Sequence, residues 1–195
     1  MEIKNYIKYY NNVLPLPALS KFIQYLSKTN WEEARVNRSP KTEDLGVVDF
    51  DIRRTYNLAL YPLSDSLTNV HWHNVLLNVF MKGYMDYSKT FSNNATDKYF
   101  TEITDITALK YEQGGFFKWH YDHCLNFPRT LSAILMLNND FEGGELCFKY
   151  ADGTGEWTVP LEPNKLIIWP SNSLFQHTVK PVTKGVRYSV VSWAL

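Results

Sequence analysis

Two histidines, one aspartate and one arginine in the second half of the chain have the types and spacing of a chemical site. His120 and Asp122 are two positions apart, His177 follows 55 residues after Asp122, and Arg187 ten residues after His177. Two imidazoles and one carboxylate are the ligand set of a non-haem Fe(II) centre with open positions. A guanidinium can hold a second carboxylate-bearing molecule. The set predicts an oxygenase that uses iron and a 2-oxo acid.

Strand alternation would bring the ligands to one surface. Residues 116–122 are predicted to form a strand, in which His120 and Asp122 project toward the interior and Tyr121 toward the outside. His177 interrupts an apolar, strand-like run, so it must come from another strand. Convergence of all three side chains from one side is what a metal ion requires.

Arg187 and Ser189 are two apart on a strand predicted over 186–193, so they share a face. The serine hydroxyl could add a hydrogen bond to a carboxylate held by the guanidinium. An inward arginine without a partner would be a costly buried charge. The alternative role for Arg187 is a structural salt bridge with an acidic residue of the chain.

Other residues that could bind metal are not expected to join the site. His71 and His73 lie in a predicted helix, where residues two apart project about 200° apart. His123 falls on the face opposite to His120. Cys124 would project to the same face as His120 and Asp122 if the strand continued, but it stands beyond the expected end of the strand.

The elements that position these residues are predicted to form one domain over 1–195, with a helical N-terminal part of about 1–105. Helical spacing follows Pro17 up to Leu26, with a possible extension over 31–36. A longer helix is predicted from about 67 to 87, where Trp72, Leu76, Phe80 and Tyr84 recur every four residues.

From residue 106 to 195 the pattern changes to short strands separated by turn signals such as Gly114-Gly115 and Asp152-Gly153. About eight strands with regular turns favour an α+β, mainly β chain built as a jelly roll, with the helices packed outside one sheet. The predicted strands cover 106–112, 116–122, 131–137, 145–150, 156–160, 165–169, 174–180 and 186–193.

Composition limits the partners. The 20 basic residues balance the 20 acidic ones, so we expect neither nucleic acid nor a membrane as partner. The N-terminus has no signal-peptide pattern, which predicts a cytoplasmic protein in which Cys124 and Cys147 are reduced. The glycosylation sequons at Asn37 and Asn94 are therefore interpreted as chance matches.

Beyond these local patterns, the second half resembles the prolyl 4-hydroxylase-like Fe(II)/2-oxoglutarate-dependent dioxygenases. The resemblance starts with the run LKYEQGGFFKWHYD, in which His120 and Asp122 stand. It continues, in order and with spacing typical of the family, to Trp193. The segments that carry it are 109–122, 137–138, 141–146, 166–171 and 177–189.

The resemblance implies a double-stranded β-helix in which His120, Asp122 and His177 bind Fe(II). It implies that Arg187 binds the far carboxylate of 2-oxoglutarate, with Ser189 and the Tyr111 hydroxyl as helpers. Tyr111 has an alternative role as a core aromatic residue with a satisfied hydroxyl. The implied reaction consumes O2 and 2-oxoglutarate, releases succinate and CO2, and hydroxylates a substrate C–H bond. Ascorbate is left open as an auxiliary reductant.

Two positions depart from parts of the family. Animal collagen-type members have lysine where Arg187 stands, so the chain is more similar to microbial or viral stand-alone members. Members often have tyrosine where Met136 stands. Neither departure removes a metal ligand, but both leave the substrate open.

The leading hypothesis for the substrate is a proline in a peptide or protein, and the alternative is a free amino acid or another small molecule. A non-catalytic protein that binds 2-oxoglutarate or metal is a further alternative, although the complete ligand set argues against it. Nucleic-acid demethylation is a fourth, disfavoured by the charge balance. The oligomeric state is left open.

Three segments are candidates for contact with substrate. Residues 47–62, with Arg53, Arg54 and Tyr56, and residues 91–103 could close over a substrate, or could be solvated loops. Residues 126–129 follow the first two ligands and are expected near the mouth of the pocket.

Overall fold

The structure, a computed structural model, describes residues 2–36, 46–91, 99–125 and 128–195. Within these ranges the chain forms two α-helices, two 3-10 turns (Ile3–Tyr6 and Ser173–Phe175) and fourteen strands. The helices are α1 (Leu16–Leu26) and α2 (Leu67–Phe91). The strands are β1 (Lys8–Asn11), β2 (Glu32–Glu33), β3 (Arg53–Arg54), β4 (Tyr56–Leu60), β5 (Ile103–Tyr111), β6 (Phe116–His120), β7 (Leu131–Met136), β8 (Glu142–Gly143), β9 (Leu146–Lys149), β10 (Glu156–Thr158), β11 (Lys165–Pro170), β12 (His177–Val179), β13 (Val182–Lys184) and β14 (Arg187–Ala194).

Two antiparallel sheets pack face to face. The large sheet has the order β1-β11-β7-β14-β5-β4-β2, and the smaller sheet the order β10-β9-β12-β6-β3. Between them lies an apolar cluster that joins Leu109 and Ile134 of the large sheet to Leu146 and Phe148 of the smaller one. Strands β8 and β13 form a separate pair. The predicted jelly roll is confirmed.

Both helices pack on the outer face of the large sheet. In α2, Trp72, Leu76, Phe80 and Tyr84 are all buried in a second cluster with residues of β5, β7, β11 and β14, as their four-residue spacing predicted. Among the described residues, no helix combines the length and apolar character needed to cross a membrane.

Gly83 allows α2 to approach the sheet closely. A Cβ atom at this position would lie 2.6 Å from Leu166 Cδ2 and 2.9 Å from Ile168 Cδ1, both on β11. Glycine lowers helix propensity, but here the missing side chain is what makes room for the sheet.

The N-terminal part is less purely helical than predicted. It supplies strands to both sheets: β1 pairs with β11, β4 with β5, and β3 with β6. The predicted helical extension over 31–36 is wrong. Glu32 and Glu33 pair with β4, while the Trp31 indole donates a hydrogen bond to the Leu26 carbonyl at the end of α1. Pairing with a sheet edge decides the conformation here.

Two strand ends near the expected site also differ from prediction. Strand β6 ends at His120, so Asp122 lies outside the strand. The run before His177 begins with a 3-10 turn, and β12 starts only at His177. The sequons at Asn37 and Asn94 lie outside the described residues, so their interpretation stays a prediction.

Candidate metal centre

Two neighbouring strands of the smaller sheet and one short connection bring the three predicted ligands together. His120 is the last residue of β6 and lies directly opposite His177, the first residue of β12. Asp122 follows β6 by two residues. One ligand atom from each of the three lies within 4.8 Å of the others. The grouping expected from the sequence is thus present, although Asp122 is placed by a bend rather than by strand alternation.

Backbone carbonyls orient both imidazoles. His120 Nδ1 donates to the Lys118 carbonyl at 2.8 Å, and His177 Nδ1 donates to the Phe175 carbonyl at 3.0 Å. Because a carbonyl oxygen only accepts, the proton of each neutral ring is on Nδ1, and Nε2 keeps its lone pair. The two Nε2 atoms lie 3.7 and 3.6 Å from the Asp122 carboxylate oxygens. Three electron-pair donors therefore converge, which fits a divalent transition metal.

The protonation states suit metal binding. Burial lowers the pKa of His120 to about 3, with a further contribution from His177, so the imidazole is neutral at physiological pH. Burial acts to raise the pKa of Asp122, but His177, His120 and a hydrogen bond from Ser132 together hold it below its usual value. The site thus presents a neutral His120 imidazole beside an ionised Asp122 carboxylate.

These ligands line a mainly apolar cavity between the two sheets that opens to solvent. Its volume, including the solvent-filled mouth, is about 460 Å³. Phe117 stacks on the His120 ring at 3.6 Å between centroids, and Trp169 meets His177 edge-on. An apolar wall around converging polar groups is typical of small-molecule sites. The remaining wall consists of Arg53, Leu109, Tyr111, Ser132, Ala133, Ile134, Leu146, Val179, Val191 and Trp193.

Arg187 is fully buried, as an inward position on β14 predicted. Its Nη1 donates to Ser189 Oγ at 3.1 Å, and its Nη2 to the weakly accepting Met136 sulfur at 3.4 Å. Its Nε is buried without a hydrogen-bond partner, and no carboxylate among the described residues forms a salt bridge with it. Burial lowers the pKa of the guanidinium. The alternative of a structural salt bridge finds no support in the described part of the chain.

Arg187 and Ser189 stand next to the cavity rather than in its wall. Tyr111 does line the cavity, and the Arg187 guanidinium carbon lies 5.1 Å from the centre of the Tyr111 ring. Tyr111 and Arg187 are also directly opposite each other on β5 and β14. The structure therefore groups Tyr111, Arg187 and Ser189 as the sequence suggested, with the Tyr111 ring covering the guanidinium.

A second arginine enters the site from the N-terminal part. Arg53 lines the cavity, and its guanidinium carbon lies 4.6 Å from the centre of the Phe117 ring. Its Nε is buried without a partner. Burial lowers its pKa, while nearby Tyr111 and Asp122 act in the opposite direction. The sequence named Arg53 only as part of a segment that could close over a substrate, because a two-residue strand carries no periodic signal that would place the side chain.

The other candidate ligands lie outside the group formed by His120, Asp122 and His177 in the described part of the chain. His71 and His73 belong to α2, with Trp72 between them buried in the helix–sheet core. His123 Nδ1 instead contacts the Arg129 carbonyl. Cys124 is exposed and Cys147 buried, both as free thiols.

Of the segments that could contact substrate, 47–62 supplies β3 and β4 to the two sheets, while Val47, Val48, Phe50 and Tyr61 of the same segment are exposed. Arg129 stacks on Trp193 at 3.8 Å, and Trp193 lines the cavity. Residues 92–98 and 126–127 are outside the described ranges.

Comparison with known proteins connects this geometry to a family. The 2OG-Fe(II) oxygenase superfamily matches residues 106–195. A PKHD-type hydroxylase of Aliarcobacter butzleri is 30% identical over 191 residues, covering 93% of this chain and 74% of the relative. A PKHD-type hydroxylase of Idiomarina loihiensis is 38% identical over 96 residues, 47% of this chain. The match spans only 42% of that relative, and similar shares of several others.

Solved structures share the fold. A Trichoplax adhaerens prolyl hydroxylase, in complex with a peptide fragment of the hypoxia inducible factor oxygen degradation domain, superposes with a TM-score of 0.76 at 17% identity. The match covers 98% of this chain and 84% of that one. A Pseudomonas putida prolyl-4-hydroxylase gives 0.68 at 18% identity, with 96% and 91% covered. A viral collagen prolyl hydroxylase of Paramecium bursaria Chlorella virus 1, in complex with 2OG, gives 0.64 at 18% identity, with 96% and 94% covered.

Proposed function

Since this chain belongs to the 2OG-Fe(II) oxygenase superfamily, we propose that it is an Fe(II)- and 2-oxoglutarate-dependent dioxygenase that hydroxylates a prolyl residue in a peptide or protein. The reaction would consume O2 and convert 2-oxoglutarate to succinate and CO2. The single observation that carries the proposal is the convergence of two imidazole nitrogens and one carboxylate in an apolar cavity.

His120, Asp122 and His177 would hold the iron. Both Nε2 lone pairs are free because both Nδ1 atoms are engaged by carbonyls. Three protein ligands leave positions open for other ligands, which distinguishes a reactive site from a structural one. When bound there, iron supplies the redox chemistry with O2 and the 2-oxo acid. The protein orients the reactants and keeps water out of the apolar cavity.

Arg187 would bind the far carboxylate of 2-oxoglutarate. A buried guanidinium without a carboxylate partner gains a strong charge-assisted hydrogen bond when such a partner arrives. Ser189 and the Tyr111 hydroxyl are proposed helpers. The Tyr111 ring lies against the guanidinium and also lines the cavity, so Tyr111 stands between the cavity and Arg187 as the first residue of this group that a bound co-substrate would meet.

The proposed prolyl substrate is supported by the structural neighbours, which include prolyl hydroxylases, one of them in complex with a peptide fragment. A free amino acid is the second candidate. Arg53 supports it, because a cationic side chain in the cavity wall could bind a substrate carboxylate. A peptide would instead offer Arg53 a backbone carbonyl.

Mass spectrometry of reaction products tests the substrate. Protein, Fe(II) and 2-oxoglutarate, with and without ascorbate as auxiliary reductant, would be incubated with proline-containing peptides, with the same peptides carrying alanine for proline, and with free amino acids. A mass gain of one oxygen only in proline-containing peptides is expected. Hydroxylation only of a free amino acid would establish the second candidate. Product from the alanine peptides would contradict prolyl specificity.

A further inference from the structure

A chain of two serine hydroxyls ends on the carboxylate of the metal centre. Ser132 Oγ lies 2.6 Å from Asp122 Oδ2, and Ser171 Oγ lies 2.7 Å from Ser132 Oγ. Both serines are 1% exposed, so solvent does not compete for these hydrogen bonds. Ser132 lies on β7 and Ser171 directly follows β11. The two hydroxyls therefore belong to the large sheet, opposite strands β6 and β12 of the smaller sheet, which carry the histidines.

The direction of both hydrogen bonds follows from the number of protons. An ionised carboxylate only accepts, so the single hydroxyl proton of Ser132 is donated to Asp122. Ser132 can then only accept from Ser171, whose own proton completes the chain. Donation from Ser171 polarises the Ser132 hydroxyl and strengthens its bond to the carboxylate.

Asp122 needs such support because it lies outside β6. The backbone attaches the same segment at the same place, since the His123 amide donates to the Ser171 carbonyl at 3.0 Å. The Ser171 amide in turn donates to the Thr130 carbonyl, just before β7. Ser171 thus holds the Asp122 segment through its main chain and the carboxylate through Ser132.

We propose that Ser132 and Ser171 are positioning residues of the metal centre, which fix the rotation of the Asp122 carboxylate by a Ser171-to-Ser132-to-Asp122 hydrogen-bond chain. With Oδ2 engaged, Oδ1 is the carboxylate oxygen that has no hydrogen bond from the described residues. The hydrogen-bond chain from Ser171 through Ser132 to Asp122 thereby favours binding of the metal through one carboxylate oxygen. This proposal rests on the ligand assignment made under the proposed function.

Titration of the metal-free protein with Co(II), in competition with a chelator, tests the proposal without turnover. Loss of a partner that orients a metal ligand costs about 10–100-fold in metal affinity, which is the expected effect of Ser132→Ala. Ser171→Ala should weaken binding less. The double variant should be no weaker than Ser132→Ala, because Ser171 acts only through Ser132.

Ser192→Ala is the matched control. It removes another fully buried hydroxyl of the same sheet, which donates to the Thr104 carbonyl and is not part of the cavity wall. Its Co(II) affinity and visible absorption spectrum should equal those of the wild type. The spectrum of Ser132→Ala should change, because the carboxylate is free to rotate and the ligand geometry around the ion changes. Ser132→Thr, which retains the hydroxyl, should recover affinity.

Wild-type affinity and spectrum in a folded Ser132→Ala protein would overturn the proposal, as would a double variant whose loss is the product of the two single losses. If Ser132→Ala does not fold, the Co(II) affinity of Ser171→Ala becomes the test. A Co(II) affinity of Ser171→Ala equal to that of the wild type would then overturn the proposal. A different failure concerns the ligands. If wild type binds Co(II) no more tightly than His120→Ala, the ligand assignment itself is wrong and the serine chain falls with it.

Discussion

Replacement of Arg187 by methionine should make the unliganded protein more stable while removing its response to 2-oxoglutarate. The guanidinium is fully buried, has an unpartnered Nε, and is held by one serine hydroxyl, one thioether sulfur and the Tyr111 ring. Methionine has a similar length, carries no charge and adapts to irregular spaces. The arginine is therefore expected to serve ligand binding at the expense of stability.

The magnitude follows from the cost of burying charge. Replacement of buried ionic groups by apolar side chains of similar volume changes stability by about 0 to 4 kcal/mol in favour of the apolar variant. We expect about 2 kcal/mol for Arg187→Met, because the described residues supply no balancing carboxylate. For a chain of this length about 1 kcal/mol raises Tm by about 2–4 °C, so the expected rise is about 4–8 °C.

Thermal unfolding with and without 2-oxoglutarate, both with Co(II) present, measures the two effects together. At a ligand concentration about 100 times Kd, binding stabilises the wild type by about 2.7 kcal/mol, or about 5–11 °C. Arg187→Met should show no such shift. Arg54→Met, which removes an exposed guanidinium, serves as the control with little change in either condition. A less stable Arg187→Met protein, or one that keeps the full 2-oxoglutarate shift, would refute the reasoning.

Three further outcomes are expected. Gly83→Ala should destabilise the protein by about 1–3 kcal/mol in urea unfolding, because the added methyl overlaps Leu166 and Ile168, whereas Asn74→Ala at an exposed α2 position should be nearly neutral; equal stabilities would contradict the close helix–sheet contact. Co(II) should raise the Tm of wild type, reversibly with a chelator, but not that of His177→Ala; an equal rise in the variant would exclude His177 as a ligand. Arg53→Met should raise KM for the primary substrate by about tenfold or more with a smaller effect on KM for 2-oxoglutarate, since the guanidinium faces the cavity; the reverse pattern would assign Arg53 to the co-substrate.

Much of the site could be predicted because its residues follow simple alternation or contradict their surroundings. Arg187 and Ser189 share a face of β14, as predicted, and His177 stood out as a polar residue in an apolar run. Ser132 is likewise a polar residue within the apolar strand β7, but a single hydroxyl does not indicate its partner, because that partner, Asp122, lies on another segment. The direction of Asp122 was predicted for the wrong reason, since a bend and the serine chain place it.

The features that the sequence left open or predicted wrongly depend on contacts between distant residues. Arg53 reaches the cavity because β3 pairs with β6, which are more than 60 residues apart, and two residues give no pattern. The residue types of 31–36 are compatible with a helix. Pairing of Glu32 and Glu33 with β4 instead satisfies their backbone groups by hydrogen bonds between strands. The core of α2 was predicted because its apolar face is long and regular, so tertiary contacts and local spacing agree.

Succinate formation from 2-oxoglutarate in the presence of Fe(II) tests the central claim most directly. Wild type should produce succinate, and His120→Ala and Asp122→Ala should produce none while their thermal unfolding remains cooperative. His71→Ala, which removes an exposed histidine of α2, should retain wild-type turnover. Succinate formation at the wild-type rate by either ligand variant would contradict the assignment of His120, Asp122 and His177 as the iron site.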